Sequence, residues 1–127
     1  MNSKIEEYFM NPQNVGVMEN PDIFLNVGNP VCGDTIHLGI RLKDNVIAET
    51  LFKAYGCSTS IATANILSEF LINKSISELR EVDRESISDM LGELEPKERH
   101  CIDIGESMVS LVIENMEKQI TKSQVAL

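Results

Sequence analysis

Tryptophan is absent from this chain and aromatic residues make up only 5% of it, so any core must be aliphatic, with methionine as filler. No apolar run approaches the ~20 residues that a membrane-spanning helix needs. The opening Met1-Asn2-Ser3-Lys4-Ile5-Glu6-Glu7 lacks the apolar centre of a signal peptide and is too acidic for a transit peptide, so a cytoplasmic location is expected. Basic residues are also scarce. Eleven Lys and Arg against 20 Asp and Glu leave a formal net charge of −9. That balance argues against nucleic acid, whose phosphates need basic patches, and against anionic membranes. It suits basic protein surfaces or cations. Walker-type and dinucleotide-type glycine loops are missing. So is any Cys-x-x-Cys pair, the usual knuckle of a structural zinc site.

What remains is ordinary globular composition, 43% hydrophobic and 24% charged over 127 residues, which fits one domain with its own core. Residues 1–127 are therefore read as a single domain, with 1–7 and 121–127 as flexible ends. Ser3-Lys4-Ile5-Glu6 has the form of a capping box, and Ile5, Tyr8 and Phe9 follow at helical spacing up to Asn11-Pro12. The Asn14–Gly33 stretch is long for a plain connection and is expected to hold a strand or a function. From Asp34 to Lys43, Ile36, Leu38, Ile40 and Leu42 alternate with His37 and Arg41, the pattern of a half-buried strand. Asp44-Asn45 makes the turn. A second strand runs from Val46 to Tyr55, with Val46, Ala48, Thr50, Phe52 and Ala54 predicted on one face.

Gly56 ends that strand, and Ser58-Thr59-Ser60 offer capping hydroxyls for a helix that buries Ile61, Ala64, Leu67 and Leu71. Short helices are predicted from Ser75 to Val82 and from Asp83 to about Gly92. Pro96 opens a last helical region with the stripe Ile104, Met108, Leu111 and Val112. Glu93, Glu95 and Glu98 read as a solvated charge run, and His37 as exposed. The order predicts an α+β fold, with a small antiparallel sheet of about three strands and helices packed on one face.

Chemistry concentrates at three junctions. Gly28-Asn29-Pro30-Val31-Cys32-Gly33-Asp34 offers a thiol and a carboxylate, Tyr55-Gly56-Cys57 a second thiol, and His100-Cys101 an imidazole beside a third. A hairpin brings the outer ends of its strands together, so Cys32 and Cys57 are expected to be neighbours. A thiol at a helix start has its thiolate favoured, and Cys57 and Cys101 both qualify. Soft thiolates with imidazole suit zinc or iron–sulfur chemistry, while the Asp34 carboxylate is a harder ligand that would hold a cluster less firmly. The competing readings are three unrelated buried cysteines, a closed zinc site, or a thiol enzyme using Cys101, His100 and Asp34. The last needs unusual backbone, because adjacent side chains diverge on a regular helix.

These three motifs, with Asn11-Pro12 and Asn14-Val15-Gly16 ahead of them, resemble the iron–sulfur cluster assembly scaffold family, the IscU proteins and the N-terminal domain of NifU. The resemblance runs from about Tyr8 to about Met116. It implies a non-enzymatic scaffold that builds a [2Fe-2S] cluster from iron and sulfur and hands it to recipient apo-proteins. The implied ligands are Cys32, Cys57 and Cys101, completed by Asp34 or His100, with zinc held at the same residues when no cluster is present. Cys101 is the implied first sulfur acceptor, and Asp34 the residue that tunes release. The implied partners are a cysteine desulfurase, iron and electron donor proteins and the recipients, with the scaffold a monomer or homodimer. The family's chaperone-gripped Leu-Pro-Pro-Val-Lys reads Leu94-Glu95-Pro96-Lys97-Glu98-Arg99 here, which counts against release by an Hsp70-type chaperone through this motif. NifU's further cysteine domains are not seen, so a stand-alone scaffold is expected. The short Cys57–Cys101 interval argues against the zinc-bound SufU branch. The alternative function is a zinc-binding sulfur relay that accepts persulfide sulfur from a desulfurase.

Overall fold

The turn at Asp44-Asn45 sets the frame. Both residues take left-handed backbone, with φ of 54° and 63°, as the tight hairpin turn matched to strand twist requires. It joins β2 (Asp34–Lys43) to β3 (Val46–Tyr55), and β1 (Ile23–Asn29) pairs antiparallel on the other side of β2. The order β1-β2-β3 is a plain meander, and β1 is the strand that the long early stretch was expected to hold. The structure is a computed structural model that describes residues 2–29 and 33–125, the side chains of 29 and 121–125 excepted. Cys32 lies outside the described residues.

The predicted face of β2 holds: Ile36, Leu38 and Ile40 are buried. That of β3 holds only in its second half. A bulge between Arg41 and Leu42 shifts the register, so Arg41 faces Glu49 while Leu42 faces Ile47. The extra residue, Ala48, resets the phase. Ile47 is buried in place of Ala48, and Thr50 and Phe52 remain on the core side. The bulge falls where Asn73 N–H donates to the Ile47 carbonyl and Ile47 N–H donates to the Lys74 carbonyl, pairing the strand's start with the segment after α2.

Among the described residues five helices follow the order read from sequence: α1 (Ser3–Met10), α2 (Ser58–Leu71), α3 (Ile76–Arg80), α4 (Arg84–Leu91) and α5 (His100–Val125). A short 3-10 turn, Pro96–Glu98, precedes α5. The α1 cap is Asn2 and not Ser3: Asn2 Oδ1 accepts from Ile5 N–H at 2.8 Å. Asn2 wins because its amide also donates to the Leu91 and Glu93 carbonyls at the end of α4. Helix α2 lies at the centre, packed on β3, α1 and α5, and is buried from Thr59 to Ser68 except at Ile61. Its core is aliphatic as expected, with Met108 and Met116 fully buried on α5. The predicted α5 stripe holds at Ile104, Met108 and Val112, with Leu111 at its edge.

The early segment also works as a strap. Asn14 and Gly16 bond to both sides of Phe52 on the free edge of β3, and Met18 then crosses the outer face of the sheet. A Cβ on Gly39 would stand 2.9 Å from Met18 Cβ, so the glycine is what lets the chain lie flat there. Among the described residues no helix is long and apolar enough to cross a membrane.

Candidate metal centre

The register places Thr35 opposite Tyr55, so the start of β2 meets the chain leaving β3. Gly56, at φ +147°, carries the backbone over Asp34, and Cys57 becomes the N-cap of α2. The cap is therefore the thiol itself and not the Ser58-Thr59-Ser60 hydroxyls. Cys57 Sγ accepts from Ser60 N–H at 3.4 Å and lies 3.1 Å from Ser60 Oγ. Its side chain is exposed.

Asp34 is buried, and its two oxygens hold the corner together. Oδ1 accepts from Cys57 N–H at 3.2 Å, and Oδ2 accepts from Ser60 Oγ at 2.8 Å. The same Oδ2 lies 3.3 Å from His100 Nε2. His100, the first residue of α5, has Nδ1 3.0 Å from the Lys97 carbonyl. A carbonyl only accepts, so Nδ1 carries the hydrogen and Nε2 is the atom turned to the other ligands. Nε2 lies 4.0 Å from Cys57 Sγ and 3.8 Å from Cys101 Sγ. The expected divergence of His100 and Cys101 does not occur, because His100 begins the helix and its ring folds back over the preceding turn.

One ligand atom each from Asp34, Cys57 and His100 lies within 4.8 Å of the others. Tetrahedral metal sites with bonds of about 2.0–2.3 Å have ligand–ligand edges of about 3.3–3.8 Å. The 3.3 and 4.0 Å separations here are close to those edges, and a thiolate–imidazole–carboxylate set fits zinc or ferrous iron. The three residues line a cleft of about 490 Å³ whose other wall is the Glu95–Glu98 segment.

Cys101 falls outside that set. It is fully buried behind Ser60, whose Oγ is 3.8 Å from its sulfur. Burial pushes its thiol up to about 11, opposite to the expected thiolate-favouring helix start. Thr63 and Ser60 hydroxyls only partly offset that effect.

Sequence reading missed two participants. Ser60 was a generic cap, yet its hydroxyl touches Asp34, Cys57 and His100 together. Glu98 reads in the sequence as part of a solvated run, yet it is buried and accepts from Thr59 Oγ1 at 2.5 Å. That hydroxyl holds the Glu98 carboxyl below the usual carboxylate range. The proline-led Glu-Pro-Lys-Glu turn was the available signal for Glu98; nothing local marked Ser60.

Residues 1–123 match the family model described as the NifU-like N terminal domain, and the chain belongs to that IscU/NifU-type family. Two proteins of Archaeoglobus fulgidus named iron-sulfur cluster assembly scaffold protein IscU are each 39% identical over 98 residues, 77% of this chain. The match spans 64% of their own length, less than two thirds. The Escherichia coli K12 protein of the same name is 33% identical over 87% of this chain and 88% of its own. Among solved structures, a putative SUF-system scaffold protein (FiSufU) of Fervidobacterium islandicum superposes with a TM-score of 0.72 at 20% identity, covering 87% of this chain and 94% of that one. A NifU-like N-terminal protein of Brucella abortus gives 0.60 at 21% identity, covering 98% and 88%. Both solved structures speak for the fold alone.

Proposed function

We propose that this protein is a scaffold on which an iron–sulfur cluster, of the [2Fe-2S] type, is assembled before transfer to recipient apo-proteins. The observation that carries the reading is the convergence of Asp34, Cys57 and His100 on one cleft, at the motifs that the chain shares with its family. The names of its relatives support the same role.

The residues divide the work by chemistry. Cys57 is the exposed thiol, open to iron and to persulfide sulfur brought by a cysteine desulfurase. Sulfur at that level must be reduced to sulfide, which is the task of an electron-donor protein. His100 presents Nε2 as a borderline ligand with its direction fixed by the Lys97 carbonyl. Asp34 is the hard, weak ligand that keeps the assembled cluster releasable. Cys101 joins once Ser60 and His100 move aside, and only then can it accept sulfur. Cys32, two positions before Asp34, supplies the remaining thiolate. The protein performs no turnover of its own in this reading.

The test is reconstitution without oxygen. Protein, desulfurase, cysteine, ferrous iron and reductant should give a visible iron–sulfur absorption band; intact thiols without the band would defeat the assembly reading. The donor spacing also supports a second reading, a zinc-bound sulfur relay. Stoichiometric zinc that survives iron and sulfide loading would favour it.

A further inference from the structure

We propose that Thr59 and Glu98 are positioning residues, a buried brace that aims the His100 imidazole at the ligand set. The inference rests on the metal-site reading above and names what orients one of its ligands.

Thr59 is the second residue of α2, two positions after the capping Cys57. Its hydroxyl donates to Glu98 Oε2 at 2.5 Å across 39 positions of sequence, and both residues are buried. The other carboxylate oxygen accepts from Glu95 N–H at 3.1 Å and closes the Pro96–Glu98 turn. Within that turn sits Lys97, whose carbonyl takes the His100 Nδ1 hydrogen. The helix turn that carries one ligand thus fixes the loop that points another.

Capping alone does not account for this arrangement. The Ser75–Glu78 box at the start of α3 makes the same bond from the cap N–H to the carboxylate three residues on, yet it is exposed and has no distant partner among its bonds. Burying a carboxylate costs free energy that such a box does not require. Glu98 is buried while Lys97 and Glu95 beside it stay exposed, so the chain turns the acid inward toward the Cys57 helix. Groups that orient a ligating histidine through its second nitrogen typically change metal affinity 10–100-fold when lost.

The experiment uses the metal-free full chain with Thr59→Val, which keeps shape and loses the donor, and Thr59→Ser, which keeps the donor. Circular dichroism establishes folding; Thr59→Ala replaces Thr59→Val should the latter not fold. Zinc affinity is read by competition with a chromophoric chelator, and the His100 tautomer by long-range nitrogen–proton spectra. Thr59→Val is expected to weaken zinc about tenfold or more and to mix the tautomers, with Thr59→Ser near wild type on both. Wild-type zinc affinity and a pure Nδ1–H tautomer in Thr59→Val would overturn the brace. If the wild type binds no zinc, the metal-site reading falls, and the imidazole spectra alone decide on the brace.

Discussion

A Cβ on Gly56 would stand 2.0 Å from Asp34 Oδ1, so the carboxylate fills the space that any side chain at position 56 would need. Gly56 also has φ +147°, which L residues rarely adopt. Gly56→Ala should cost about 2–3 kcal/mol in denaturant unfolding and displace Asp34 from the ligand set. Chelator competition should then show weaker zinc binding. An unchanged affinity would remove Asp34 from the site.

Asp34→Ala tests the carboxylate directly. With the hard ligand gone, an assembled cluster should persist longer and move more slowly to an apo-ferredoxin, followed by the decay of its visible absorption. Asp34→Asn, which still accepts from Cys57 N–H, separates the ligand role from the hydrogen-bond role. Equal lifetimes in all three proteins would end the claim that Asp34 tunes release.

Cys101 should be chemically silent in the metal-free protein. Iodoacetamide should modify Cys57 first and reach Cys101 only after unfolding, as peptide mass mapping would show. The raised thiol also predicts a pH effect with a definite sign. The folded state keeps the proton that the unfolded state loses, so this contribution is whole below about pH 9 and disappears as pH rises through about 11. Unfolding curves of wild type and Cys101→Ala should therefore converge in that window; a constant difference would contradict the burial.

Asn45→Gly should stabilise the protein by about 0.5–1 kcal/mol, because glycine takes the left-handed φ of 63° at the second turn position without strain. A melt showing no gain would mean that the Asn45 side chain supports the turn.

Several of these features were legible in the sequence because their causes are local. Alternation gave the β2 face, and turn chemistry gave Asp44-Asn45 and Gly56. Apolar spacing along the chain gave the helix order, although the caps of α1 and α2 fell on Asn2 and Cys57. Where the cause is distant, local reading failed. Asn2 displaced Ser3 as the cap because of two carbonyls about ninety positions away. Alternation puts Ala48 on the buried face, because a bulge leaves no mark in such a pattern. Glu98 looked solvated among acids, since its hydroxyl partner belongs to another helix. At the site, the three junction motifs pointed to five ligands, Cys32, Asp34, Cys57, His100 and Cys101; the described residues bring Asp34, Cys57 and His100 within reach of one another, and nothing in the spacing could reveal that Ser60 covers Cys101.

The Asn2 side chain grips the end of α4 and the Glu93 carbonyl, two residues before the Glu95–Glu98 turn that walls the cleft. Replacing Asn2 would therefore loosen that wall together with the start of α1.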